Sequence, residues 1–260
     1  MKQDKYLESL CRNGEEKLLL SRVQDAVNTA QFHMTPKYLG FLSLSEHALV
    51  QQAIRLLGFA NGHFFGGYEQ AERVIFGALP DYLEFNPEEF PLQALTFTYR
   101  KQDKLTHRDF LGALMGLMIK REMIGDILVS EGNTVVFVHK NVVSTILQEA
   151  TKIGRTGVSI TEGFSLENLP QPAFKEMQST VASMRFDCIL SFLLGQSREK
   201  CSRLIRSGAA AVNGRIVESI SSEIHVGDIV TVRGYGKFEI TEQDSVTRKG
   251  RLVIRAQKYL

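Results

Sequence analysis

Residues 185–234 read RFDCILSFLLGQSREKCSRLIRSGAAAVNGRIVESISSEIHVGDIVTVRG. Phe186, Ile189, Leu190 and Leu193 recur at helical spacing and lay an apolar stripe along one face of a first helix. Gln196 and Ser197 interrupt the stripe, and Ser197 is placed to cap a second helix, REKCSRLIRS. Gly208 follows where a left-handed residue ends helices. Asn213–Gly214, between AAAV and RIV, is the strongest short hairpin signal in the chain, and Gly227–Asp228 turns into a last strand, IVTVR. Two short helices followed by a small twisted sheet are expected.

The second helix is two-sided. Stepping about 100° per residue from Lys200, Cys201, Leu204 and Ile205 centre at about 95°, whereas Arg203 and Arg206 fall at about 300° and about 240°. One side is expected to be buried, with Leu204 in its stripe, and the other to present cations. An RNA backbone needs cations and helix N-termini, and the planar fork of arginine pairs with phosphate oxygens two at a time. Arg198 stands in the first turn behind Ser197, where helix amides already favour an anion. Asp187 reads as a helix-start cap or as a partner for an arginine.

Charge distribution points the same way. The net charge is +2, but from Val181 onward there are 13 Lys/Arg against 8 Asp/Glu, net +5, leaving 18 against 21, net −3, before it. Cys11, Cys188 and Cys201 form no C-x-x-C pair, so reduced thiols are expected, with Cys188 and Cys201 packed in helices. The polar start MKQDKYLESLCRNGEEK is unlike a signal peptide, and no apolar run is long enough for a membrane span. A cytoplasmic location follows as an expectation.

The remaining chain is read as α+β. Residues 1–86 form an N-terminal α/β subdomain: a helix over 4–31, a strand in KYLGFLS, a helix capped by Ser45 through about Leu57, and a strand pair in GFANGHFFGGYEQAERVIFGALP. Residues 87–164 give β-α-β-β-α-β, the ferredoxin-like order: ALTFTY, a Thr106-capped helix HRDFLGALMGLMIKR, DILV, TVVFVH, NVVSTILQEAT and GVSIT. Gly112 and Gly116 suggest close helix packing on that first helix. Residues 165–180, with Pro170 and Pro172, read as a linker, and 181–260 as the C-terminal αα-β module.

With the pieces Arg185–Phe186–Asp187, S-R-x-x-x-x-x-L-I-x-x-G from Ser197 to Gly208, Val212–Asn213–Gly214 and Val226–Gly227–Asp228, the C-terminal module resembles the RNA-binding domain named after ribosomal protein S-four. TVASMRFD, RGYGKFEI, TRKGRLVI, GGYEQAER and THRDFLGALMGLMIKREMIGDILV extend the resemblance to the YlmH family of bacterial S-four-domain proteins, over most of residues 60–260. Residues 1–58 match only loosely, and Met184–Arg185–Phe186 stands where Leu-Arg-Leu is commoner. The resemblance implies a cytosolic factor of ribosome-associated quality control. Such a factor binds large ribosomal subunits through rRNA and stranded peptidyl-tRNA, beside RqcH-type proteins that add alanine tails. The expected RNA contacts are Arg185, Ser197, Arg198, Lys200, Arg203, Arg206, Asn213, Arg215, Arg233 and Lys237, with Arg108, Lys120 and Arg121 as a secondary set. A monomer without metal, cofactor or catalytic residue is expected.

Enzyme signatures fail on inspection. His107–Arg108–Asp109 lacks the downstream Asn and D-F-G of a kinase, and no P-loop, G-x-S-x-G or H-E-x-x-H occurs. The alternative is an RNA-modifying enzyme, a pseudouridine synthase or rRNA methyltransferase using the same module, with His107, Arg108, Asp109 and Arg121 as a polar site. A DNA-binding or cell-division scaffold is a third class. The residues before the module show neither a pseudouridine-synthase Asp motif nor a glycine-rich methyl-donor loop.

Overall fold

Asn13 decides where the first helix starts. The protein is described by a computed structural model covering Leu7 and residues 10–165, 174–247 and 250–259. The helix expected over 4–31 is interrupted: Leu7 and Leu10 are helical, residues 11–13 are not, and α1 spans Gly14–Phe32. The Asn13 side chain accepts the Glu16 amide at 2.8 Å, so the sequence restarts a helix there. Strand β1 (Lys37–Leu42) follows Pro36. Helix α2 (Leu44–Leu57) is capped by Ser43 rather than Ser45, because Glu46, three residues after Ser43, reaches back to the Ser43 amide at 2.7 Å. Strands β2 (Gly62–Phe65) and β3 (Val74–Ala78) pair antiparallel as expected, and β1 lies on the other side of β3. Val23, Val27, Val50, Ile54 and Phe76 fill the core between this sheet and the helices.

Next come β4 (Leu92–Thr98), α3 (His107–Gly116), β5 (Ile124–Ser130), β6 (Asn133–His139) and α4 (Val143–Glu149). A small hairpin, β7 (Lys152–Ile153) and β8 (Thr156–Gly157), precedes β9 (Ser159–Glu162). The four longer strands order as β5–β6–β4–β9, antiparallel throughout, over a core that includes Leu95, Phe97, Phe110, Leu114 and Ile146. Helix α3 stops at Gly116 instead of continuing to Arg121. Glycine is a poor helix former, and Met118 then takes a left-handed φ of 61°, which turns Ile119 into the core. Among the described residues, nothing lies within 4 Å of a Cβ added at Gly112 or Gly116, so they show no close helix contact at those positions.

Contacts divide the chain into two compact units, 1–170 and 171–260, and the N-terminal and middle segments lie together in the first. The second opens with β10 (Phe174–Val181), α5 (Phe186–Leu194) and α6 (Arg198–Arg206). Strands β11 (Ala210–Val212), β12 (Arg215–Ile216), β13 (Ile229–Val232), β14 (Gly236–Val246) and β15 (Leu252–Tyr259) complete it. The sheet order is β10–β15–β14–β13–β11–β12. The linker expected over 165–180 is corrected here. Residues 174–181 pair with β15 from Phe174↔Tyr259 to Val181↔Leu252, burying Val181, and Pro170 and Pro172 lie outside the described residues. The strand after Gly227–Asp228 is not the last, since β14 and β15 follow it. Phe186, Ile189, Leu190, Leu193, Cys201 and Ile205 from the helices close over Val230, Phe238, Ile240 and Ile254 from the sheet. Cys188 and Cys201 are buried in α5 and α6, as expected.

Candidate nucleic-acid interface

Helix α6 is built by its cap and its stripe. Ser197 Oγ accepts the Lys200 amide at 3.3 Å, which fixes the helix start. Cys201 and Ile205 are fully buried, whereas Leu204, expected in the same stripe, is only partly covered. Arg203 and Arg206 stand exposed on the opposite side. Arg203 meets Glu199 at 3.4 Å with both side chains largely in solvent, and Lys200 Nζ donates to Gln196 Oε1 at 3.0 Å. Such surface contacts are worth about 1 kcal/mol or less and are readily exchanged for a phosphate.

Arg185 and Arg198 are arranged differently, because both reach Asp187. Arg185 Nε donates to Asp187 Oδ1 at 3.1 Å. Arg198 donates to Oδ2 through Nε at 3.1 Å and through Nη2. Burial pushes the Asp187 carboxyl up, but the hydrogen bonds and charges of Arg198 and Arg185 outweigh it and hold the group below the usual carboxylate range. Asp187 is therefore a partner for arginines. The helix-start alternative is not taken, since Arg185 occupies the cap position of α5.

The hairpin and the later strands divide the other expected contacts. Asn213 (φ 49°) and Gly214 (φ 76°) form the left-handed pair that a two-residue hairpin turn requires. The Asn213 side chain is engaged inside the module. Nδ2 donates to Asp228 Oδ1 at 2.8 Å, and Oδ1 accepts the Ile229 amide at 2.9 Å. Arg215 is half-buried on β12, and Arg233 is exposed just after β13. Lys237 sits 4.4 Å over the Tyr259 ring. Its neighbour Phe238 points into the core beneath α5 and α6, so strand alternation sets Lys237 on the sheet face away from the helices. Arg185, Arg198, Lys200, Arg203 and Arg206 thus belong to the helical side, and Lys237 does not.

In the first unit, Arg108 is exposed in the first turn of α3, and Asp109 caps that turn by accepting the Thr106 amide at 2.8 Å and hydroxyl at 2.7 Å. Arg121 is turned inward, donating to the Ile124 carbonyl at 2.5 Å. Of the polar site read from His107, Arg108, Asp109 and Arg121, Asp109 serves as a helix cap and Arg121 holds a carbonyl, while His107 lies near enough to Arg121 and Asp126 to feel their charges. Lys120 and Arg121 do line an open cleft of about 520 Å³ with Phe41, Ser43, Glu46, Arg73 and Glu122.

Sequence reasoning missed the centre of this region, Asp126. Its carboxylate accepts from Tyr68 Oη at 2.8 Å, from the Glu72 amide at 2.8 Å and from the Arg73 amide at 3.1 Å. Arg73 spans the same turn, donating to the carbonyls of Ile124, Phe41 and Arg121 at 2.9, 2.9 and 3.2 Å. Burial, with Arg121 nearby, pushes its guanidinium down to about 10. GGYEQAER is therefore a loop wrapped around a buried carboxylate. The available signal was the clustering of Gly66, Gly67, Tyr68 and Arg73, which gave no clue to the partner.

Residues 86–166 match the family model described as "Putative RNA-binding domain in YlmH", and residues 184–230 match the "S4 domain", the S-four module. A curated relative, the "Ribosome-associated protein quality control protein P2" of Bacillus subtilis (strain 168), is 34% identical over 190 residues, 72% of this chain and 73% of that protein. The chain belongs to the YlmH family. The solved "Cell division protein ylmH from Streptococcus pneumoniae" shares the fold over 62% of this chain and 98% of its own, with a TM-score of 0.53 at 23% identity. This YlmH-family chain therefore carries RNA-binding domains and is homologous to a ribosome-associated quality-control protein. Among its described residues, no helix is long and apolar enough to cross a membrane.

Proposed function

We propose that this protein is a non-enzymatic, cytoplasmic and monomeric RNA-binding factor of ribosome-associated quality control. It docks on large ribosomal subunits that carry peptidyl-tRNA and contacts rRNA and tRNA through its C-terminal module, beside an RqcH-type tailing factor. The observation that carries the reading is the two-sidedness of α6: Cys201 and Ile205 are buried, and Arg203 and Arg206 project from the other side of a helix whose N-terminus holds Arg198. Cations and helix N-termini both favour phosphate, and this one helix offers Arg198 at its start and Arg203 and Arg206 along its exposed side. The relative's printed name supports the ribosomal setting. Residues 87–164 are read as a ferredoxin-like domain, their strand order β5–β6–β4–β9 supporting that reading. Arg108 and Lys120 are its secondary contacts.

Cross-linking of the tagged full chain in cells, followed by sequencing of the bound RNA, tests the reading. Large-subunit rRNA together with tRNA is the expected recovery, and its absence overturns the proposal. Incubation with rRNA, tRNA and S-adenosylmethionine should leave every nucleotide unchanged by mass spectrometry. A new stoichiometric modification would restore the enzyme alternative.

A further inference from the structure

Among the described residues of the second unit, Asp187 is the one buried charged side chain. A carboxylate taken out of water costs several kcal/mol before its partners offset the loss, and an apolar residue of similar size packs as well. Both partners of Asp187 are arginines that remain about half exposed, Arg185 at 44% and Arg198 at 56%, while the Asp187 side chain is 5% exposed. The two oxygens are divided between them, Oδ1 to Arg185 and Oδ2 to Arg198. One acid thus holds two guanidiniums that would otherwise repel each other. It does so beside the capped N-terminus of α6, where Lys200 donates its amide to Ser197.

We propose that Asp187 is a positioning residue for the RNA backbone, clamping Arg185 and Arg198 side by side as one preorganised phosphate-binding pair at the start of α6. The proposal rests on the RNA-binding reading above and adds a residue that touches no phosphate itself. Long arginine side chains lose freedom when they bind, and holding them beforehand removes part of that cost.

The sign of the effect separates positioning from charge alone. Removing an acid from a basic surface raises affinity for a polyanion if charge is all that counts. Removing a clamp lowers it. The full chain is titrated with ribosomal RNA extracted from purified large subunits, over a salt series. Asp187→Asn should bind about tenfold more weakly, the ordering cost of two long side chains. Adding Asp187→Asn to the Arg185→Ala, Arg198→Ala double variant should change affinity no further. Equal or tighter binding by Asp187→Asn overturns the proposal while leaving the functional reading intact, and so does a further loss in the double-variant background. A wild-type chain that does not bind this RNA refutes the functional reading itself. If Asp187→Asn fails to fold, Arg198→Lys decides: it keeps the charge and loses the fork, so wild-type affinity in that variant also overturns the clamp.

Discussion

The side-chain amide of Asn213 donates to the carboxylate of Asp228 at 2.8 Å, tying the hairpin between β11 and β12 to the turn that opens β13. Asp228 in turn accepts the His225 amide at 2.7 Å, so one acid gathers both turns. Asn213→Ala should therefore destabilise the second unit by about 1–3 kcal/mol through the groups left unpaired, read as a lowered unfolding midpoint. Asn213→Gly keeps the left-handed backbone and removes only the side chain, so it should lose less than Ala. An Asn213→Gly variant as stable as wild type would show that the bridge to Asp228 contributes nothing.

The exposed and buried sides of α6 should separate binding from stability. Arg203→Ala with Arg206→Ala should change stability by no more than about 0.5 kcal/mol while lowering RNA affinity. Each lost phosphate contact should reduce the log–log salt slope by about one, from a wild-type slope of roughly −3 to −5 if four to six phosphates are neutralised. Ile205→Ala should do the reverse, costing roughly 2–5 kcal/mol through a core cavity. In lysates the double arginine variant should stay soluble and shift from the large-subunit fraction to the top of a sucrose gradient. Full retention with the subunits would move the grip elsewhere, Arg108 and Lys120 being the next candidates.

What the sequence made legible was local. The Ser197 cap, the Asn213–Gly214 turn and the Thr106 helix start are decided by residues within a few positions of one another, and each stands where expected. Strand β10 was hidden because its partner is distant: Phe174 pairs with Tyr259, and FKEMQSTV buries little besides Val181. By contrast, the alternation of Phe238 and Ile240, both buried from β14, is a local strand signal. The Asp126 network was out of reach for the same reason as β10, since Tyr68 and Arg73 lie more than fifty positions away from it. Asp187 was half legible: an arginine partner was foreseen, but not that it would engage two.

Acid should expose the Asp187 clamp. A carboxylate whose folded pKa lies below its unfolded value of about 3.8 adds stability above that pH and loses it as pH falls through the folded pKa. The stability difference between wild type and Asp187→Asn should be largest above pH 3.8 and close below it, measured by urea unfolding across the acid range. A constant difference at every pH would remove the charge of Asp187 from the account.

Two glycines of the first unit should respond in opposite directions to alanine. Gly67 has φ 102°, and a Cβ there would lie 2.3 Å from the Phe137 ring on which Tyr68 stacks. Gly67→Ala should cost roughly 1–3 kcal/mol by overpacking alone, with left-handed strain in addition. Gly112, helical and facing open space, should gain up to about 1 kcal/mol as alanine. Thermal melts of both variants check this, and a destabilised Gly112→Ala would mean that something covers that face of α3.

The position of β10 decides where the RNA-binding unit begins. Cutting at 182 would remove the strand that covers β15 and expose a long unpaired edge, along with the core contacts of Val181 and Met177. A fragment of residues 171–260 should fold and bind structured RNA more weakly than the full chain, with a single cooperative melt. A fragment of residues 182–260 should melt at lower temperature or aggregate, even though it retains α5, α6 and every expected RNA contact of the second unit. Circular dichroism melts and RNA titrations of the two fragments make the comparison. If both fold and bind equally, β10 is dispensable and the module is the 181–260 piece expected from the sequence.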